Sequence, residues 1–594
     1  MQIVRVLVVA EDEPGVNTGG FGVWKTQPNA RARDPKVAFA FHLGEFITVL
    51  ESTQWVGFQL EVVKAMRTQA DTFDTPPLNT HDFLQDRNAD IAGFRFDQSH
   101  TFEGATRTIM DYDMILFFPQ ISHEPTPTDP TAIKEAAAIA KFMESGRGFF
   151  CTGDHYNLGS QLAGILPRVR SMRRWWTDAT NPAKPADAPL APSGASADRH
   201  DTLVSGDDNT IVFEDQSDEV PQTIDPVMYG AGLTVRQGYP ATARVPHPLL
   251  CSPMGIVDKL PDHMHEGTCE VPADLTKSFS FDDGSGPVTG REYPDYEGSP
   301  LAPEVVATGS VTAHATPYID PLDAGFSNGQ DPHYDPTNPT VFGVIGAWDG
   351  HRVGKGRVVV DSTWHHFFNI NLTGDRLLEN ISLSAGDQQK KHGFYVANNP
   401  VTDYQLIQHY YRNIIYWLIP ANRHTFIIWH QLFDLAQTSQ LREELHARDF
   451  TAYDFGSYPY FGQLADSYFR GALGACTTYK IRQILYKPKI PWYEWIEEIV
   501  DPWQPIAKQT QPSESQRDQA LGVAGFAPSM DAIMRVGVGA AVITAGTVLR
   551  QHGRDVELAM KRYDQVFEHA MGLYAKRLDA ARAVFGRVER LVKR

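Results

Sequence analysis

The sequence predicts an α/β fold built on a parallel sheet, with a long loop-rich insertion and a mostly helical C-terminal region. Three observations carry this. Apolar runs such as IVRVLVVA (3–10) are continuous rather than alternating, the pattern of strands covered on both faces. Amphipathic stretches alternate with those runs over the first 150 residues, which implies parallel strands joined by crossover helices. From about residue 421 the strand pattern stops and helical spacing takes over.

In order, residues 3–10 form the first strand. FHLGEFITVLES reads as a helix and FQLEVVKAM as the second strand. Residues 101–111 look helical, and YDMILFFPQ (112–120) is a third strand. Residues 130–145 carry apolar residues at helical spacing, closed by Gly146 and Gly148, and GFFC is the fourth strand. Between about 177 and 340, Pro, Gly, Asp and Ser become dense, as in a loop-rich excursion with short strands. VFGVIGAWDG and GKGRVVVDSTWHH then read as two strands joined by a Gly-rich turn, followed by a helix over 402–419. The expected division is 1–176 with 340–420 as the α/β domain, 177–339 as the insertion, and 421–594 as the helical region.

The chain has 594 residues, room for two to four domains. Its formal charge of −19 keeps it soluble and argues against non-specific binding of nucleic acid. The four cysteines include no CxxC pair, which excludes zinc-ribbon and thioredoxin-type sites and, with an N-terminus that reads as a strand, suggests a reducing, cytoplasmic setting. VGVGAAVITAGTVL (536–549) falls short of the roughly 20 residues that span a bilayer and reads as a buried helix. The final helix, about 553–592, ends basic: the last nineteen residues hold seven Lys/Arg against two acids. That end reads as a solvated face, with a partner helix, nucleic acid or an anionic membrane as alternatives; self-association through these helices is a further expectation.

In open parallel sheets, ligands sit at the carboxyl ends of strands. GFFCTGDH (148–155) and DSTWHH (361–366) end two strands and should meet at that edge. A strand running through GRGFFC into TGDH, and a late GKGRVVV strand ending in histidine, resemble the class I glutamine amidotransferase-like superfamily, nearest its ThuA-like (trehalose utilisation) branch. The resemblance covers about 1–176 and 340–420, and implies a three-layer, flavodoxin-like core. It places Cys151 at the elbow and His365 or His366 at the base position. The pattern departs at Phe149, where the elbow has glycine, and at Phe367 and Phe368, where Pro-Glu would follow the histidine.

Read from the residues, Cys151 with His365 would make a thiol-dependent amidohydrolase if a helix N-terminus and an imidazolium favoured the thiolate; the plainer reading is a buried apolar cysteine. A second constellation gathers Asp154, His155, His365 and His366 with LPDHMHEG (260–267), where His263 and His265 share one side of an extended segment and Glu266 follows. His155, His263, His265 and His365 would suit a divalent metal, zinc first and manganese or iron as alternatives, with Glu266 or Asp154 as base. The plain alternative is loop histidines held by backbone hydrogen bonds. In PRVRSMRRWW (167–176), Arg170, Arg174 and Trp175 could grip an anionic polar substrate, or the arginines could pair with acids at an interface with the insertion. The expectation is a hydrolase-type enzyme for a small polar substrate, a carbohydrate derivative among the candidates. The rival is a non-catalytic binding or assembly module whose helical C-terminus contacts a partner.

Overall fold

The computed structural model describes residues 2–10, 12–13, 18–19, 21, 43–67, 89–119, 129–152, 162–174, 222–229, 245–261, 268–311, 340–373, 393–396, 399–447, 449–473, 481, 485 and 527–592. Its α/β half contains β1 (Gln2–Ala10), α1 (Gly44–Ser52), β2 (Phe58–Met66), β3 (Met114–Phe118), α2 (Pro130–Glu144) and β4 (Gly148–Cys151). These are followed by β5 (Gln222–Pro226), β6 (Lys259–Leu260), β7 (Glu304–Val311), β8 (Thr340–Trp348), β9 (Val358–Asp361), α3 (Asn369–Thr373) and α4 (Thr402–Leu418).

One nine-stranded mixed sheet runs β6-β5-β7-β8-β9-β4-β3-β1-β2. Strands β2, β1, β3, β4 and β9 are parallel neighbours. Taken in chain order, these five strands lie 2-1-3-4-5. The other four are antiparallel. Strands β5, β6 and β7 come from the loop-rich insertion, so part of that segment widens the sheet.

The continuous apolar run of β1 has the expected cause. Val4, Val6 and Val8 join a core with α1 and α4, while Leu7 and Val9 join a second core with α2 on the opposite face. Helix α2 begins where Asp129 accepts from the Thr131 N–H at 2.7 Å with Pro130 in its first turn. It ends at Gly146, whose φ of 93° lies in the left-handed region.

The helical expectation for 101–111 is corrected. His100–Phe102 pairs with Ala105–Arg107 as a hairpin, and only Ile109–Asp111 forms a 3-10 turn. Glu103 and Gly104 both take positive φ, the backbone demanded by a two-residue hairpin turn.

Among its described residues the C-terminal region contains α5 (Ala421–Ala436), α6 (Ser439–Ala447), α7 (Ser457–Leu473), α8 (Ala527–His552) and α9 (Val556–Val592). Helix α5 joins the two halves: Ile427 belongs to the sheet core and Ile428 to the helical core. Gln431 Nε2 donates to the Val56 carbonyl at 3.1 Å, and Arg423 Nε pairs with Asp113 at 3.0 Å. Helix α8 holds the described stretch long and apolar enough to cross a membrane (Ile533–His552), yet most of that stretch is buried among its neighbours. Glycines allow this. A Cβ on Gly539 would lie 1.9 Å from the Tyr458 carbonyl oxygen, and one on Gly462 would lie 2.0 Å from that of Arg535. Helices α7 and α8 therefore touch backbone to backbone.

Candidate functional site at the end of the last parallel strand

Strand β9 sorts its residues by face. Val358 and Val360 join the core under α2, and Val359 joins the core under α4. Asp361 follows the same alternation to the α4 face, where Tyr410 of α4 donates to its Oδ2 at 2.7 Å.

Beyond Asp361 the chain curls because polar side chains replace the strand ladder. The Thr363 N–H donates to Asp361 Oδ1 at 3.2 Å, and the His365 N–H donates to Thr363 Oγ1 at 3.1 Å. That curl swings His366 back, and its Nδ1 lies 2.7 Å from Asp361 Oδ1, with both side chains fully buried. A carboxylate accepts, so Nδ1 carries the proton of this bond. Tyr411 OH donates to the His366 carbonyl. His365 is buried beside the Trp364 ring, and its Nδ1 is 3.2 Å from Asn371 Nδ2.

Burial first, and then the Asp361 charge, push the Tyr410 phenol well above its ordinary pKa. It therefore stays a donor, and three donors hold Asp361: Tyr410 O–H, Thr363 N–H and His366 Nδ1–H.

Helix α3 connects this group to a second one. Asn369 Oδ1 accepts from the Glu45 N–H at 2.6 Å. The buried Glu45 carboxylate, in the first turn of α1, accepts from Tyr395 OH at 2.6 Å and Tyr404 OH at 2.7 Å. Tyr404 is pushed well above its ordinary pKa by burial and then by Glu45.

The other sequence-derived candidates divide. Asp154, His155, Trp175, His263, His265 and Glu266 lie outside the described residues. Cys151 is a buried free thiol on the α2 face, paired across the sheet with Val360, whereas Asp361 and His366 occupy the α4 face. Arg174 pairs its backbone with Thr268.

Arg170 Nε donates to Glu292 Oε1 at 2.7 Å. Its neighbour Arg168, at φ 70°, donates to the Glu292 carbonyl at 2.8 Å and to Glu144 at 2.6 Å, with its guanidinium 4.3 Å from the Trp348 ring centroid. Glu144 closes α2 just before β4 begins, so these arginines clamp the insertion at the sheet edge opposite Asp361. Among the described residues, no group of three or more His, Cys, Asp or Glu could hold a metal ion. Cys251 is disulfide-bonded.

Asp361, Tyr410 and Glu45 were not singled out from the sequence, although two signals pointed to them. Asp361 stands five residues before His366 in the same segment. Tyr404, Tyr410 and Tyr411 fall on the apolar face of α4, where a buried hydroxyl must find a partner. No family model, no curated protein and no solved structure matches this chain.

Proposed function

We propose that the protein is a hydrolase-type enzyme acting on a small polar substrate, with His366 as general base and Asp361 as its orienting carboxylate. The observation that carries this reading is the buried 2.7 Å contact between Asp361 Oδ1 and His366 Nδ1 at the carboxyl end of a parallel strand. A carboxylate fixed on Nδ1 sets the tautomer and stabilises the imidazolium that forms when Nε2 takes a proton. Tyr410 and Thr363 hold Asp361 in place.

The amidotransferase-like, ThuA-like assignment belongs to the same proposal. The 2-1-3-4-5 order of the parallel strands supports it, as does a late strand that delivers a histidine. His365 stands beside the base and is the one described member of the metal set drawn from the sequence. In the metal-assisted form of this proposal, a divalent ion held by His155, His263, His265 and His365 would supply hydroxide near neutral pH. Cys151, on the other face, is assigned no step.

The test is a screen of ester, amide, glycoside and phosphoester substrates with the wild type, His366→Gln, Asp361→Asn and His365→Ala, alongside elemental analysis of the purified protein. Loss of turnover by about two orders of magnitude in His366→Gln and Asp361→Asn, with the circular dichroism spectrum retained, is the expected result. Wild-type turnover in both would overturn the assignment. Stoichiometric zinc, manganese or iron lost in His365→Ala would favour the metal-assisted form.

A further inference from the structure

The end of α9 differs from every other described helix. Up to Tyr574 its apolar stripe is packed: Tyr563, Val566, Phe567, Ala570 and Tyr574 all lie in the helical core. The last described body contact is Arg577, whose guanidinium lies 5.9 Å from the centroid of the Phe455 ring. Beyond it Leu578 is 46% and Val584 57% exposed, and Asp579, Ala580 and Ala583 are exposed as well. The fifteen residues from 578 to 592 extend about 22 Å at the rise of an α-helix.

The sequence keeps its periodicity along that extension, with apolar residues at Leu578, Ala581, Phe585, Val588 and Val592. Arg582, Arg587 and Arg590 are exposed along it. The last nineteen residues hold seven Lys/Arg against two acids in a chain of net charge −19, so the remainder is more negative still.

We propose that the projecting end of α9 docks on an anionic lipid bilayer, lying in the headgroup region with its apolar stripe inward. An apolar stripe beside a basic face is the composition of an interfacial helix, and the charge excess complements acidic headgroups. The extension also addresses the repulsion between an acidic body and an acidic surface. It carries Arg590 about 18 Å beyond Leu578, more than two Debye lengths of about 8 Å at physiological salt, so the body's charge is screened at that end. A nucleic acid would use the arginines but leave the apolar stripe exposed. Parallel self-pairing would set two basic ends against each other.

The test is co-sedimentation of the full chain with phosphatidylcholine vesicles, with and without phosphatidylglycerol, for the wild type, Leu578→Asp and the double variant Arg582→Glu/Arg587→Glu. These side chains are exposed, so both variants should fold as the wild type does. The expected result is binding at least about tenfold stronger to the vesicles containing phosphatidylglycerol, weakened by about 0.5 M salt and by either variant. Equal binding with and without phosphatidylglycerol would overturn the proposal, as would unchanged binding by the double variant. Absence of vesicle binding would do the same, whether the wild type instead bound duplex DNA or formed a dimer that Leu578→Asp dissolved.

Discussion

The two halves of this molecule bury different things. The sheet half places polar and charged groups inside: Glu45, Glu135, Asp361, His365 and His366 are all buried. Arg67 forms a bidentate pair with Glu135 at 2.8 and 3.0 Å, and Asp361 is held by three donors. Among the described residues, the helical half buries a largely apolar set around α8, and its buried polar side chains include Asp466, Thr544 and Thr547. Buried charge costs stability unless every partner is in place. The proposed chemistry lies in the sheet half. The helical half is organised for packing, from Gly462 and Gly539 inside to the projecting end of α9.

The largest effect expected from this contrast is at Asp361. Asp361→Ala should cost about 3–5 kcal/mol in chemical denaturation, because it leaves His366, Tyr410 and Thr363 without their common acceptor. A loss below about 1 kcal/mol would mean that the network is not held together through this carboxylate. The helical half should break through shape instead. Gly539→Ala forces a methyl against the Tyr458 carbonyl and should cost about 1–3 kcal/mol or more, with no change in the Asp361 network. Thermal unfolding of the variant checks this.

A subtler effect should appear with pH. Burial first, and then Arg412, push His409 of α4 down to about 4 from its ordinary 6.5. Between those values the unfolded chain binds more protons than the folded one. The stability from keeping His409 neutral is therefore present above pH 6.5 and is lost as pH falls toward 4. Denaturant midpoints measured across that window should decline in the wild type and flatten in His409→Gln. The smallest effect is in the apolar half: the buried Thr547 hydroxyl has no hydrogen-bond partner. Thr547→Val should be neutral or stabilising by up to about 1 kcal/mol, read from the melting temperature.

Much of the α/β half was legible along the chain. FQLEVVKAM and GFFC match their strands residue for residue, and the helix ending at Gly146 followed from its cap and its spacing. The histidine-bearing segment after β9 was legible as a place. Its working partners were not, because they are distant: Tyr410 reaches Asp361 across 49 residues, and Tyr404 reaches Glu45 across 359. The hairpin at 100–107 was missed because the short segment left helix and strand patterns close together, and a two-residue turn decided between them. Arg168 and Arg170 were legible as a cluster, but only the fold sets Glu292 and Glu144 against them.

Local pattern by itself determined most of the described strands and helices, the hairpin at 100–107 excepted, because apolar period, caps and turn residues act over a few positions. It also determined that the chain ends on a basic helix, since charge is counted residue by residue. Only the tertiary structure decided that Cys151 and Asp361, at the ends of adjacent strands, face opposite sides of the sheet. Register and alternation set that separation, and neither is a property of one segment alone. The structure likewise decided that α8 is a core helix and that Leu578 and Val584 of α9 are exposed, because burial depends on what packs alongside.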